Sequence, residues 1–157
     1  STSRRQRQMC IRDRGMKVSV ACPKNYRPAM EVLDFAETYG DAFMITDSPM
    51  EAAKDADVVF TDVWASMGDE GEIDLRRRAF EGFQVNDELM AVAKPDAMVQ
   101  HCLPAHRGEE ITESVLEAHA DEIFDEAENR LHAQKAVLVK LMADKPQETE
   151  EPENNLL

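Results

Sequence analysis

Short apolar runs alternate with amphipathic stretches along the middle of the chain. Lys17–Ala21 (KVSVA) predicts a strand closed by Pro23. Ala29, Val32, Leu33, Ala36 and Tyr39 then recur at helical spacing, with Gly40 placed to end that helix. Ala42–Thr46 (AFMIT) predicts a second strand. Ser48 followed by Pro49 predicts an N-cap and first helical residue, opening a short helix to Ala56. Asp57–Asp62 (DVVFTD) and Ala97–His101 (AMVQH) predict two more strands. Thr112–Ala120 reads as a helix and Ile123–Phe124 as a short strand. Glu126–Met142 reads as a long final helix with Ala127, Leu131, Leu138 and Leu141 on one face. The strands are short and apolar, as strands buried on both faces should be. The alternation therefore predicts an α/β fold, a doubly wound parallel sheet with helices on both faces. Its ligand would bind beyond the carboxyl ends of the strands.

Composition bounds the folded part. The 157 residues suit one domain with tails, and 43% hydrophobic residues can build a core. Residues 1–14 hold five Arg against one Asp and have no strand or helix period, so a disordered or foreign arm is expected over about 1–15. From Asp144 the chain is polar and acidic with two Pro, and a disordered tail is expected over 144–157. The domain should then occupy residues 16–143. Outside the arm the net charge is −18, which argues against nucleic acid as a partner. Such acidity with few aromatics suits a surface kept hydrated in high salt; an ordinary acidic protein is the alternative. No apolar run approaches the roughly 20 residues of a membrane span, and no apolar segment follows the leading arginines as in a secretory signal. Three widely spaced Cys form neither a disulfide framework nor a zinc pattern, so a cytoplasmic location is expected.

The strand ends carry the candidate chemistry. Asp62 closes the third strand, and Ser66, Met67 and Gly68 follow in DVWASMG. A carboxylate at a sheet's carboxyl edge can hold an amino group, and Ser66 adds a hydroxyl. Spacing alone equally allows both to be helix caps. After the fourth strand comes HCLPAHRGEE, in which Cys102 is either reactive, with Arg107 and His101 lowering its pKa, or a structural thiol. His101, Cys102 and His106 match no closed tetrahedral metal set. His119 and His132 read as packing or surface residues, and Arg76–Arg78 as a solvated helix face. Neither a G-x-G-x-x-G dinucleotide loop, a P-loop nor a nucleophile elbow occurs.

DVWASMG at 62–68 and HCLPAHRGEEIT at 101–112 resemble the two signature loops in the ornithine-binding half of the ornithine carbamoyltransferases, within the aspartate/ornithine carbamoyltransferase family. KVSVACPKNY at 17–26 and AENR at 127–130 fit the same family, in order, across residues 16–143. The resemblance implies transfer of a carbamoyl group from carbamoyl phosphate to L-ornithine, giving citrulline and phosphate, as in arginine biosynthesis or the urea cycle. It implies that Asp62 holds ornithine's amino groups and orients the attacking amine, with Ser66 and Met67 at the amino-acid end. It places Cys102 beside the attacking nitrogen, Leu103 against the carbamoyl group, and Arg130 on the carbamoyl oxygen. No cofactor or metal is implied, and the full-length enzymes are homotrimers or larger. The family's S-T-R-T-R phosphate loop and H-P-T/C-Q segment do not occur in these residues, so a C-terminal half lacking the carbamoyl-phosphate domain is expected, inactive alone. A non-catalytic module that binds ornithine or a related amino acid is the alternative.

Overall fold

The computed structural model describes residues 15–65 and 72–143. The arm expected over 1–15, apart from Gly15, and the tail expected over 144–157 lie outside the described residues.

The fold is α/β with parallel strands, as the alternation predicts. Strands β1 (Val18–Ala21), β2 (Phe43–Thr46), β3 (Val58–Thr61) and β4 (Met98–His101) each lie within a predicted run. β1 pairs with β2 and β3 with β4, both in parallel. The described strands form two two-stranded ladders.

The helices follow their local signals. α1 (Met30–Glu37) follows the apolar spacing. α2 (Pro49–Ala53) begins with Pro49 at its first position, and the Ser48 hydroxyl accepts from the Glu51 N–H. α3 (Ile73–Ala79) carries the three arginines. α4 (Asp87–Met90) was not expected, yet Asn86 caps it by accepting from the Leu89 N–H at 2.9 Å. α5 (Glu113–Ala118) is capped by Thr112. The last helix, α6, is continuous over Ala120–Met142.

That continuity corrects the strand expected at Ile123–Phe124. Two strand-favouring residues stand inside Ala- and Glu-rich sequence with strong helix preference, with Asp121 and Glu122 favourably placed in the first turn, and the flanks win. Ile123 is fully buried and anchors the helix start, while Phe124 on the next position is exposed. Glu122 secures the same end, its Oε1 accepting the Val99 N–H of β4 and facing His119 Nδ1.

One core joins β3, β4, α2, α4, α5 and the start of α6. Val59, Leu89, Val99, Ile111, Val115, Leu116 and Ile123 form its centre. Burying a side chain such as Ile111 completely stabilises the fold by about 1.5–3 kcal/mol. The far half of α6 lies outside this core: Leu131, Val137, Leu138, Val139, Leu141 and Met142 are all exposed. Among the described residues no helix is long and apolar enough to cross a membrane.

Arg76 departs from the solvated face expected of its neighbours. Its guanidinium sits over the Tyr26 ring, 5.4 Å from the centroid, and donates to the Trp64 carbonyl. Tyr26, Trp64 and Phe83 each pack against Phe80, so α3 is tied to the segments following β1 and β3. Arg77 and Arg78 are exposed, Arg77 pairing with Glu109 at 2.6 Å.

Candidate active site at the ends of β3 and β4

Parallel pairing brings the site together. Thr61 stands opposite His101 in the register, so Asp62 and Cys102 leave the ladder side by side although 40 positions apart. The Cys102 thiol donates to Asp62 Oδ1 at 3.1 Å, and the Val63 N–H donates to the same oxygen at 2.8 Å. Both residues are exposed.

The electrostatics reverse one expectation. Partial burial, then the adjacent Asp62 carboxylate, push the Cys102 thiol up to about 11. Arg107 and His101 do not lower it. The Arg107 guanidinium is drawn away to Glu117, at 2.6 Å, and Glu113. His101 offers the thiol no cation, because its Nδ1 accepts the Leu103 N–H at 2.9 Å and its Nε2 faces Glu110 Oε1 at 3.0 Å. With Nδ1 accepting, the hydrogen that faces Glu110 is the one on Nε2. At neutral pH Cys102 is therefore a thiol that donates, not a thiolate nucleophile.

The loop beyond β4 is built tightly. Leu103 has a left-handed backbone with φ of 51°, and the Leu103–Pro104 peptide is cis. Gly108, at φ of 86°, turns the chain so that its N–H reaches the Ile111 carbonyl at 2.8 Å. Val85 then brackets the loop's end, donating to the Glu110 carbonyl and accepting from the Thr112 N–H.

The other expected residues divide. Leu103 follows Cys102 directly. Arg130 is exposed on α6, and among the described residues no hydrogen bond or ion pair joins it to Asp62, Cys102 or Leu103. It lies one turn beyond Glu126, whose charge reaches Cys102, so the two share a side of the helix that passes the site. Ser66, Met67 and Gly68 lie outside the described residues. Sequence reasoning assigned no role to Glu110; its position nine residues after His101 in a loop gave no periodic signal.

Two groups bring three potential donors within 4.8 Å of one another, namely Asp62 with His101 and Cys102, and His106 with Glu109 and Glu110. In the first group both His101 nitrogens are already committed, and Asp62 with Cys102 does not complete a metal site. In the second, Glu110 Oε1 already serves His101 and the His106 N–H.

A carboxylate and a thiol donor stand side by side at the carboxyl edge of a parallel ladder, the edge at which α/β domains carry their ligand sites. Residues 8–141 match the family described as Aspartate/ornithine carbamoyltransferase, Asp/Orn binding domain, and the chain belongs to that family. The chain is 59% identical over 128 residues to the ornithine carbamoyltransferase of Methanosarcina acetivorans, covering 82% of this chain and 42% of that one. It is 52% identical over 132 residues to that of Pyrococcus abyssi, with the same coverage. Among solved structures, the anabolic ornithine carbamoyltransferase of Campylobacter jejuni superposes with a TM-score of 0.76 at 45% identity, covering 81% of this chain and 43% of that one. The Pyrococcus furiosus enzyme gives 0.70 at 51% identity, covering 79% and 41%. The chain thus spans less than half the length of the relatives it matches.

Proposed function

We propose that this chain is the ornithine-binding part of an ornithine carbamoyltransferase. It works with the remainder of a longer protein to transfer a carbamoyl group from carbamoyl phosphate to L-ornithine, releasing citrulline and phosphate. The observation that carries the reading is the exposed Asp62–Cys102 pair at the adjoining ends of two parallel strands. The N-acetyl-L-ornithine transcarbamylase structure is more distant, at 29% identity, which favours unmodified ornithine.

The residues suit the chemistry. An ammonium cannot attack a carbonyl carbon, so the site must hold ornithine's amine as the free base and aim it. The Asp62 carboxylate attracts the cationic side chain and can accept its proton or orient its N–H bonds. The protonated Cys102 thiol beside it offers a weak donor without a competing negative charge. Arg130 would stabilise charge developing on the carbamoyl oxygen, and Leu103 backbone groups would contact the carbamoyl group. Ser66 and Met67 would take the amino-acid end. None of these steps asks for a metal or organic cofactor. The phosphate of carbamoyl phosphate needs cationic groups beyond the Arg130 assigned to the carbamoyl oxygen, so its binding falls to the remainder of the protein. Residues 16–143 form the ornithine-binding domain in this reading. The complete protein is a cytoplasmic homotrimer or larger assembly serving arginine biosynthesis or the urea cycle, with no nucleic-acid or membrane partner.

The test places Asp62→Ala in a full-length protein carrying the phosphate loop, with Arg78→Ala on the exposed face of α3 as control. Losing an oriented charge-assisted contact costs about 2–4 kcal/mol of transition-state stabilisation. Citrulline formation should therefore lose a factor of about 30 to 1000 in kcat/KM for Asp62→Ala and little for Arg78→Ala. Equal values for the two variants would remove the placement of ornithine at Asp62.

A further inference from the structure

Directly beneath the Cys102 loop lies a buried polar pair to which the proposed function assigns no role. His101 and Glu110 are both fully inaccessible, which is rare for a carboxylate. One carboxylate oxygen is engaged twice: Glu110 Oε1 faces the His101 Nε2–H at 3.0 Å and accepts the His106 N–H at 2.6 Å. Burial pushes the Glu110 carboxyl up, but these donors and its own backbone N–H outweigh burial and hold it below the usual range, so it is ionised. Its second oxygen, Oε2, is buried with no hydrogen-bond partner among the described residues. A buried carboxylate oxygen left unpartnered costs stability, so this arrangement breaks the ordinary rule for interiors. Such local violations concentrate at functional sites.

The far side of the imidazole shows what the pair holds. His101 Nδ1 accepts the Leu103 N–H, and Leu103 is one of two non-glycine residues described with positive φ. An L-residue with a branched side chain resists that conformation. A single carboxylate thus fixes the imidazole tautomer, and the imidazole holds Leu103 in its left-handed turn. Cys102 lies between His101 and Leu103, so the turn decides where the thiol points.

We propose that Glu110 is a positioning residue, acting through His101 and the His106 N–H to hold the Leu103 turn and so keep the Cys102 thiol against Asp62. The proposal rests on the reading of Asp62 and Cys102 as the substrate-facing pair, but its readout does not require ornithine, carbamoyl phosphate or turnover.

The experiment follows alkylation of Cys102 by iodoacetamide with peptide mass spectrometry, using the whole chain at pH 8. In the native chain the thiolate is scarce and labelling slow. Glu110→Ala frees the turn and moves the thiol both off Asp62 and out of its partly buried place, removing the two leading causes of the shift and returning it towards its ordinary value of 9.0. The thiolate fraction then rises about a hundredfold, partly offset by lower intrinsic nucleophilicity, so labelling should quicken about tenfold. Glu110→Gln retains a carbonyl oxygen able to accept both hydrogen bonds and should stay within about twofold of the native rate. Buried Cys22 reports folding. A rise at Cys102 with Cys22 still protected supports the proposal; an unchanged Cys102 rate in a folded Glu110→Ala chain overturns it. Should Glu110→Ala unfold and expose Cys22, nitrogen-15 spectra of the native imidazoles decide. A neutral His101 ring with hydrogen on Nε2 supports the arrangement, and hydrogen on Nδ1 overturns it.

Discussion

Replacing Asp62 by Asn isolates one of the forces acting on the site thiol. The side chain keeps its shape and its ability to accept from Cys102 and the Val63 N–H, but loses its charge. In the native chain, ionising Cys102 would set a thiolate 3.1 Å from a carboxylate. For two exposed unit charges at that separation the repulsion is about 1.3 kcal/mol in water. That corresponds to about one pKa unit, or nearly tenfold in thiolate fraction. Burial, the larger cause of the shift to about 11, remains in the variant. Asp62→Asn should therefore bring the thiol down about one unit, still above 9.0. Lower intrinsic nucleophilicity offsets part of the gain, so alkylation at pH 8 should quicken about threefold to fourfold. The rate followed from pH 7 to 11 should show its inflection displaced downward by the same unit. The linkage sign follows from the raised value. The folded form favours the neutral thiol, so this contribution is intact below pH 9 and is lost as pH rises towards about 11. An inflection near pH 9 in the native chain, or an unchanged rate in the variant, would refute the claim that Asp62 governs the thiol.

Ile111→Ala empties a fully buried position at the centre of the core and should cost about 2–5 kcal/mol, read as a fall in denaturant midpoint without a change in slope. The net charge of −18 over residues 15–157 should make the domain salt-dependent, with the melting temperature rising between low salt and about 1 M KCl as the screening length shrinks to about 3 Å. A melting temperature indifferent to salt would remove the self-repulsion argument and the high-salt reading with it.

The strands were legible because each is a short apolar run, and their parallel pairing followed from the helices between them. Asp62 and Cys102 were legible for the same reason: each is the first residue beyond such a run, and pairing in register makes them neighbours. The short α4 was signalled by Asn86 ahead of Asp87 and Glu88, a capping pattern missed because the helix is one turn long. The Cys102 shift was not legible. Nearby Arg and His in sequence suggested a cation, whereas Arg107 is claimed by two glutamates and His101 by Glu110 and Leu103. Charge proximity along a chain says nothing of which acid reaches a base first. The Ile123–Phe124 reading failed because two residues of local preference cannot outweigh a helix-favouring segment on both sides.

The uncovered half of α6 has a mechanical consequence. Twenty-three residues of continuous helix make a rod about 34 Å long. Among the described residues its beginning is the clamped part, held by buried Ile123 and by the grip of Glu122 on β4. Arg130 stands just past the clamp, and the apolar residues from Leu131 to Met142 stand farther out along the same rod. A helix bends stiffly but pivots readily where its packing stops. A load applied to those outer turns would therefore reach the packed start of the helix through a lever arm, while Asp62 and Cys102 are held separately, at the ends of paired strands.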